Sequence, residues 1–381
     1  MRIAVLAHVR HPIAPPFAGG MEAHSWHLAD GLACRGHEVT LMASGDSAPY
    51  APDGVHVHSV LDEHYDRRFP WHDWHGTQAL NDHLDTAFAE LSDTLVAGGF
   101  DAIHNNTLHR FPPQLAHAKR LPMVTSLHVP PFAWMRGVVE RSVSPWSRFT
   151  VTSRQQVPRW WPDGAPADAS VLHNGIDPAA WAYGPRGDGS AIWAGRITPN
   201  KAPHLAIAAA QRAGIPLTLF GTIEHRDYFE AEVRPHLRGA IRYGGHLQGR
   251  GLAREFGSAS VLIFTPLWDE PFGLVAIEAM SCGLPVAAFD MGAVAEVVGP
   301  AGSLAPAGDV AALATAIGSA LDIPRQVPRA RVVEQFSLSR MLDEAEVLYQ
   351  TVAVSARADD GVPARRPDPR YAEPTVLPIV G

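Results

Sequence analysis

The sequence is poor in cysteine, in clustered positive charge and in long apolar runs. Its 381 residues include two cysteines, Cys34 and Cys282, which lie in opposite halves and form neither a disulfide framework nor a zinc-ligand spacing. The net charge of −8, without a long Lys/Arg run, argues against a nucleic-acid surface. We therefore expect no nucleic-acid partner and a reducing, cytoplasmic environment.

No apolar segment approaches the length of a membrane span, which is about 18 residues. The N-terminal run 3–7 is also too short for the core of a signal peptide. We expect a soluble protein. A peripheral membrane contact stays open, although nothing in the sequence supports it.

What the sequence does contain is a repeated alternation of short apolar strands and helices. The length suggests two domains of ordinary size. The run 2–7, a Gly-rich loop and a helix over 21–35 are typical of a doubly wound parallel sheet. A long helix is predicted between 76 and 97. Further strands are predicted at 38–43, 55–60, 102–104, 123–127 and 149–153, and in the second half at 191–195, 217–221, 241–243, 261–265 and 285–289.

A stretch rich in Gly and Pro separates the two series. We predict an N-terminal Rossmann-like domain over 1–176, a linker over 177–190 and a C-terminal Rossmann-like domain over 191–354 that ends in one or two helices. From residue 355 onward Ala, Arg, Asp and Pro dominate, which predicts a flexible tail over 355–381.

The most informative segment is 268–280, which places two carboxylates around a helix start. Gly273 fits a tight helix entry, so Glu270 lies in the preceding loop and Glu278 within the helix. Amides of the first turn can hold an anion between these carboxylates, since they have no intrahelical partners. They belong to Phe272, Gly273, Leu274 and Val275.

Two cations follow the first strand of the second half. Arg196 and Lys201 lie in the loop beyond its carboxyl end, where open α/β sheets bind ligands. The planar guanidinium of Arg can donate two hydrogen bonds to phosphate oxygens, whereas the Lys ammonium supplies a compact positive charge. The pair can therefore stabilise a phosphate leaving group. A pair of solvated loop cations is the alternative.

Together these features resemble the retaining glycosyltransferases of family four, which have the GT-B fold. The match is an ordered series of motifs within residues 1–350. At one position the chain departs from the family pattern, since Gly292-Ala293 stands where Gly-Gly is usual. The motifs are Gly19-Gly20-Met21-Glu22, Ser126-Leu127-His128, Val151-Thr152-Ser153, His173-Asn174-Gly175-Ile176-Asp177, Ala194-Gly195-Arg196 with Lys201, the two-glutamate segment, and Gly292-Ala293 with Glu296.

The resemblance implies an α/β fold of the GT-B type, with two facing Rossmann-like domains, a deep interdomain cleft and a C-terminal helix that crosses back to the N-terminal domain. The N-terminal domain would bind the acceptor and the C-terminal domain the nucleotide sugar. Glu278 would accept hydrogen bonds from ribose hydroxyls and Glu270 from a hydroxyl of the donor sugar. Glu270 could instead be an ordinary acid near a helix N-terminus.

Three residues of the N-terminal half complete the predicted site. His128 follows a predicted strand, and the resemblance places it beside the donor sugar near the reaction centre. Gly19 and Gly20 would supply N–H groups beneath the phosphate or the acceptor. The alternatives are a structural histidine and an ordinary glycine turn.

Histidine is abundant, and 15 of the 20 histidines precede residue 130. Pairs such as His24 with His27 could bind zinc, but no cysteine or carboxylate set joins them at a recognisable spacing. Because enzymes of the GT-B fold generally need no bound metal, we expect neither a metal nor a cofactor.

The aromatic residues of the loop 62–76 allow two interpretations. Tyr65, Phe69, Trp71 and Trp74 could stack on an acceptor sugar, or they could pack beneath the loop.

The sequence thus predicts a retaining hexosyltransferase that moves a sugar from a nucleotide-diphosphate sugar to a hydroxyl acceptor. Family frequency favours a UDP-sugar. The acceptor would be a sugar, a glycolipid precursor or a small molecule. Two alternatives stay open, namely a sugar-nucleotide epimerase or hydrolase of the same fold and a non-catalytic nucleotide-sugar-binding protein.

Overall fold

A computed structural model describes residues 1–358. Of the tail predicted over 355–381, residues 355–357 end the last helix, and residues 359–381 lie outside the described part of the chain.

The strands are short and mostly buried, as expected for parallel sheets covered on both faces. They are β1 Arg2–Leu6, β2 Glu38–Ser44, β3 Val55–Leu61, β4 Ala102–Asn105, β5 Met123–Leu127, β6 Ser147–Val151, β7 Ala169–Val171, β8 Ala191–Ala194, β9 Leu217–Phe220, β10 Ile241–Tyr243, β11 Val261–Phe264, β12 Val286–Phe289 and β13 Gly302–Ala305.

Helices connect most of the strands. They are α1 Gly20–Cys34, α2 Trp71–Trp74, α3 Gln78–Ala97, α4 Phe111–Lys119, α5 Ala133–Ser142, α6 Val157–Trp160, α7 Pro203–Ala213, α8 Arg226–Tyr228, α9 Gly249–Ser258, α10 Leu274–Ser281, α11 Val294–Val298, α12 Val310–Leu321, α13 Gln326–Gln335 and α14 Leu338–Arg357. Short 3₁₀ turns lie at Gly45–Tyr50, Tyr65–Arg67, Arg154–Gln156, Arg234–His236 and Gly299–Ala301, and one π turn lies at Phe229–Val233.

The first compact unit contains a seven-stranded parallel sheet in the order β3-β2-β1-β4-β5-β6-β7. The unit comprises Met1–Thr152, Val157–Leu172 and the described chain from Met341 onward. After β1 the chain builds outward in one direction and then in the other, so β1 and β4 flank a topological switch point.

The second compact unit repeats this order in a six-stranded parallel sheet, β10-β9-β8-β11-β12-β13. It comprises Ser153–Gln156 and His173–Arg340 among the described residues. Successive residues of β8 belong to two separate apolar clusters, Ile192 with Ala194 and Ala191 with Trp193, so both faces of the sheet are covered. The prediction of an α/β fold with two Rossmann-like domains is confirmed.

The last helix, α14, packs on the first unit, as the resemblance implied. Glu346 accepts hydrogen bonds from Arg35 and His37, and the Tyr349 hydroxyl lies 2.7 Å from Nδ1 of the buried His104. These polar contacts attach the helix to β4 and to the turn between α1 and β2.

Two strands were not predicted from the sequence. β7 and β13 are each the last strand of their sheet, and their residues are mostly half-buried, so they lack the apolar run that marks a central strand. The strand predicted over 149–153 begins and ends two residues earlier, at Ser147–Val151.

Candidate active site

The candidate site of the second unit lies beyond the carboxyl ends of β8 and β11, the neighbouring strands that flank its switch point. Arg196 and Lys201 lie in the loop after β8, and Glu270 lies in the loop after β11. Parallel strands bring both loops to the same edge of the sheet.

Glu270 and Lys201 are in direct contact. Glu270 is buried, with 6% of its surface exposed, and its Oε2 atom lies 2.5 Å from Lys201 Nζ. The same oxygen accepts a hydrogen bond of 2.8 Å from Nε1 of Trp268. A buried carboxylate is thus paired with a cation and hydrogen-bonded, as burial of charge requires.

The backbone around Glu270 is held by the turn that contains Gly292. Gly292 has φ of +59°, and a Cβ atom there would overlap the backbone of Glu270. The next amide, of Ala293, donates to the Glu270 carbonyl oxygen at 2.8 Å. Ala293 has φ of −82°, and its methyl group is fully buried in the apolar core. The position that departs from the family pattern therefore accommodates alanine without strain.

Lys201 is positioned by the threonine that follows β11. The hydroxyl of Thr265 lies 2.8 Å from the Lys201 carbonyl oxygen and itself accepts the Nε1–H of the buried Trp193. The next residue, Ala202, has a left-handed backbone with φ of +47° before α7 begins. A non-glycine residue in this conformation costs free energy, so surrounding contacts must hold the loop in place.

Arg196 is held by a residue that the sequence did not reveal. Its Nη1 atom lies 2.7 Å from Oε2 of Glu224, in the loop after β9. About a third of the Arg196 side chain is exposed, so the guanidinium keeps access to a ligand. Glu224 and Trp268 escaped prediction because nothing in their local sequence distinguishes them.

The helix start that the sequence predicted is present. Gly273 has φ of +89° and precedes α10, and a Cβ atom there would lie 3.1 Å from the ring of Phe264. Its predecessor Phe272 has a side chain buried in the core, so only its backbone is available to a ligand. The helix itself begins at Leu274, one residue beyond the glycine.

Glu278 lies on the second turn of α10 and, unlike Glu270, is not paired with a cation among residues 1–358. Its side chain is partly exposed and has no hydrogen bond or ion pair with any other residue in the described part of the chain. Desolvation raises the pKa of Glu278 to about 7. An unpaired, desolvated carboxylate at this place is suited to accept hydroxyl hydrogens from a ligand.

Glu296, in α11, is satisfied by the protein itself. Its carboxylate accepts hydrogen bonds from the amides of Arg154 and Gln155 and lies 2.8 Å from Nε2 of His173. Burial alone would raise the pKa of Glu296, but these hydrogen bonds lower it below the usual value. Glu296 therefore anchors two chain segments of the second unit.

Two candidate residues of the first unit follow β1, one of the strands that flank its switch point. Gly19 is the N-cap of α1, and a Cβ atom there would lie 3.0 Å from the carboxylate of the buried Glu22. Gly20 is exposed and is the first residue of the helix. Both glycines thus lie at a helix N-terminus, beyond the end of β1.

His128 follows β5 and belongs to a buried polar network. Its Nε2–H donates to Oδ1 of Asn106 at 2.8 Å, and its ring lies 4.6 Å from that of His24, centroid to centroid. Desolvation, and then repulsion from His104, lowers the pKa of His128 to about 3. The imidazole is therefore neutral near pH 7.

The network around His128 includes His104 and Tyr349, which no sequence motif indicated. His104, at the end of β4, lies 2.7 Å from the Tyr349 hydroxyl and 3.0 Å from the Ser126 hydroxyl. Nε2 of His24 is buried and has no hydrogen-bond partner. The helical spacing of His24 from Gly20 could have indicated its position, but no local signal links His104 to Tyr349.

In the loop 62–76 of the first unit, some aromatic side chains pack in the core and others are accessible to a ligand. Tyr65 and Phe69 are buried in the apolar core, so packing explains them. Trp71 lies beneath the guanidinium of Arg10 at 4.9 Å, and Trp74 is 37% exposed. Trp74 is the member of this set most accessible to a ligand.

Within residues 1–358, no three His, Cys, Asp or Glu side chains are grouped as a metal site would require. Over the same residues, no helix combines the length and apolarity needed to cross a bilayer.

The structure therefore brings Lys201, Glu270 and the start of α10 to one edge of the second sheet, with Arg196 in the same loop as Lys201. Gly19, Gly20 and His128 lie in the first unit. The ligand-binding roles of all these residues remain predictions.

Comparison with known proteins gives matches over both units. A family model described as Glycosyltransferase Family 4 matches residues 18–180, and one described as Glycosyl transferases group 1 matches residues 189–322. The chain is 28% identical to a glycogen synthase of Mycobacterium tuberculosis, in an alignment that covers 100% of this chain and 98% of that relative.

Two solved structures share the fold. Sucrose-phosphate synthase from Thermosynechococcus elongatus has a TM-score of 0.75 at 21% identity, over 93% of this chain and 100% of the other. HepE from Anabaena in complex with UDP-glucose has a TM-score of 0.68 at 18% identity, over 91% of this chain and 99% of the other.

Proposed function

The chain belongs to the family-four glycosyltransferases, and from this premise we propose that it transfers a sugar from a nucleoside-diphosphate sugar to a hydroxyl acceptor with retention of anomeric configuration. The family assignment rests on the two models, which cover most of both units. It favours a transferase over an epimerase, a hydrolase or a non-catalytic binding protein.

The edge of the second sheet carries the proposal. The start of α10, Arg196, Lys201 and Glu270 lie at this edge, and Glu278 lies on the second turn of the same helix. Amides and cations complement a diphosphate, and carboxylates complement hydroxyl groups. A nucleoside-diphosphate sugar offers both kinds of group in one molecule.

Glu278 is suited to the ribose of such a donor. It lies on the second turn of α10, and its carboxylate has no hydrogen bond or ion pair within the described chain. Ribose hydroxyls would donate to its two oxygens and offset the desolvation that raises the pKa of Glu278.

Charge stabilisation is the main chemical task in this reaction. When the bond between the anomeric carbon and the phosphate oxygen breaks, negative charge develops on the leaving phosphate. Arg196, Lys201 and the first-turn amides of α10 would stabilise that charge. The leaving oxygen would then take the proton of the attacking acceptor hydroxyl on the same face of the sugar, which retains the anomeric configuration.

His128 would contribute a neutral hydrogen bond to this reaction. Because its pKa is lowered to about 3, it carries no charge near pH 7. Its Nε2–H is donated to Asn106, which leaves Nδ1 as an acceptor. In this proposal the imidazole orients the donor sugar and is not the general base.

A uridine nucleotide is the favoured donor. Within the same fold, the HepE structure is a complex with UDP-glucose. The acceptor is proposed by class alone, as a hydroxyl-bearing sugar, glycolipid precursor or small molecule. No metal or cofactor is required in the proposed reaction, because the protein's own cations face the leaving group.

The stereochemistry of the product tests the proposal. The purified protein would be incubated with UDP-, GDP- and ADP-sugars and a panel of sugar acceptors, and the anomeric proton of the first product would be followed by NMR. We expect one nucleotide class to be used and an α-linked donor to give an α-linked product. Inversion at the anomeric carbon would exclude the retaining mechanism.

A further inference from the structure

Trp268 contacts both members of the buried ion pair in the second unit. Its indole N–H donates to Glu270 Oε2 at 2.8 Å, and Nζ of Lys201 lies 4.6 Å from the centroid of its ring. One side chain thus makes a charge-assisted hydrogen bond to the acid and a cation–π contact to the base.

These contacts use one oxygen of Glu270 and leave the other free. Oε2 accepts from both Lys201 and Trp268, whereas Oε1 accepts from no other residue in the described chain. The Lys201 ammonium has three donor hydrogens. Its contact with Glu270 uses one of them, so the others remain for a phosphate. The pair therefore keeps ligand-binding capacity on both groups while it stays neutralised.

The loop that carries Trp268 is tied to the loop that carries Lys201. The amide of Leu267 donates to the carbonyl oxygen of Asn200 at 2.8 Å. Trp268 itself is half-buried. Its ring is therefore held against the ion pair by the backbone as well as by its own contacts.

We propose that Trp268 is a positioning residue of the donor site, which fixes Glu270 through its indole N–H and Lys201 through its ring face. The inference rests on the proposed function, in which Glu270 binds a hydroxyl of the donor sugar and Lys201 the diphosphate. It assigns the geometry of both groups to a neighbouring side chain that contacts each of them.

The two contacts can be removed separately. Trp268→Phe keeps an aromatic face for Lys201 but removes the N–H that Glu270 accepts, whereas Trp268→Leu removes both contacts. Leu267→Ala is the matched control, because the adjacent Leu267 side chain is 40% exposed.

Steady-state kinetics would follow release of the nucleoside diphosphate from the donor, together with inhibition by the free nucleoside diphosphate. Trp268→Phe is expected to lower kcat/KM about 10- to 100-fold, as loss of a hydrogen bond to a charged group does, and to leave the inhibition constant unchanged. Trp268→Leu is expected to raise the inhibition constant as well. Leu267→Ala should match the wild type in both.

A double-mutant cycle with Glu270→Gln separates positioning from general destabilisation. If Trp268 acts through Glu270, Trp268→Phe will add less than about 3-fold to the loss caused by Glu270→Gln, since residues that act as a unit are not additive. Fully multiplicative losses would overturn the inference.

NMR of the lysines gives a readout that does not depend on turnover. The chain has two lysines, Lys119 and Lys201, so ¹³C-lysine labelling gives two sets of ε-methylene signals, which Lys119→Arg would assign. Ring current from Trp268 should shift the Lys201 signal upfield. The shift should persist in Trp268→Phe and disappear in Trp268→Leu.

The outcomes distinguish the inference from the proposed function. A Lys201 signal that is the same in the wild type and in Trp268→Leu would overturn the inference whatever the substrate. A wild type that binds no nucleoside diphosphate and turns over no nucleotide sugar, yet shows the shifted Lys201 signal, would overturn the proposed function and leave the contact established.

Discussion

The two sheets have the same strand order, but their switch-point edges carry different chemistry. In the first unit this edge carries His104 of β4, Asn106 and His128; burial keeps the two histidines neutral near pH 7, and the Asn106 amide carries no charge. In the second unit the corresponding edge carries an ion pair, Lys201 with Glu270. The shared architecture therefore does not determine the ligand; the charged edge is suited to a diphosphate and the neutral edge to hydroxyl groups.

Acidification should lower the stability of the first unit but not that of the second sheet. Burial lowers the pKa of four histidines of the first unit far below 6.5, so the unfolded chain binds more protons than the folded one between about pH 6.5 and 3. The folded state of the first unit therefore loses stability as the pH falls below about 6.5. The four histidines are His8, His24, His104 and His128.

Hydrogen exchange at pH 7 and pH 5, corrected for intrinsic rates, would measure this effect unit by unit. We expect protection to fall in β1, β4 and β5 while β8 and β11 stay protected. Equal loss in both sheets would contradict the comparison.

Removal of either cation should have the largest effect on catalysis. Lys201→Ala or Arg196→Ala is expected to lower kcat by about 10²–10³, because each removes a donor that stabilises the leaving phosphate. Arg242→Ala provides the control, since Arg242 is an exposed arginine on β10 of the same sheet. Losses below about 10-fold in both site variants would show that the charged edge does not serve the leaving group.

Much of this edge could be predicted from the sequence, because its signals are local. Gly273 and the helix formers after it indicated the start of α10 between two glutamates, and apolar runs indicated the central strands. The contacts that hold the site were not predictable. His104 and Tyr349 lie 245 residues apart, and Glu224 reaches Arg196 from a loop after another strand. Such pairs depend on tertiary packing, and no periodic pattern in the sequence indicates them.

Glu278→Gln should separate binding from stability. The variant loses a charged acceptor for ribose hydroxyls, so nucleotide affinity should fall about 10- to 100-fold. The pKa of Glu278 is raised from 4.5 to about 7, so the folded state loses stability as the pH rises from about 4.5 to 7, and the full penalty is present above that range. We therefore expect Glu278→Gln to be more stable than the wild type at pH 8, on the order of 1–3 kcal/mol, and to lose this advantage towards pH 4.5.

Urea denaturation at pH 8 and pH 5 would measure the difference in stability. The control is Glu255→Gln, because Glu255 is an exposed carboxylate on α9. Asp309→Asn would be a poor control, because the Asp309 carboxylate caps α12. A wild type more stable than Glu278→Gln at pH 8 would mean that a protein group compensates the charge.

The smallest expected effect comes from Tyr349→Phe, which removes one hydrogen bond of the neutral network. The buried Nδ1 of His104 would lose its partner, so the free energy of unfolding should fall by about 1–3 kcal/mol, with kcat unchanged. Tyr50→Phe is the matched control, since Tyr50 is 51% exposed. A change in kcat without a change in stability would place this network in the reaction itself.

The central claim is that the charged edge of the second unit is the nucleotide site. The most direct measurement is calorimetric titration of the wild type, Glu278→Ala, Arg196→Ala and His128→Ala with UDP, GDP and ADP. We expect that one nucleotide binds the wild type, that both variants of the second unit lose this binding, and that His128→Ala retains it. Binding that survives in Glu278→Ala and Arg196→Ala would contradict the account.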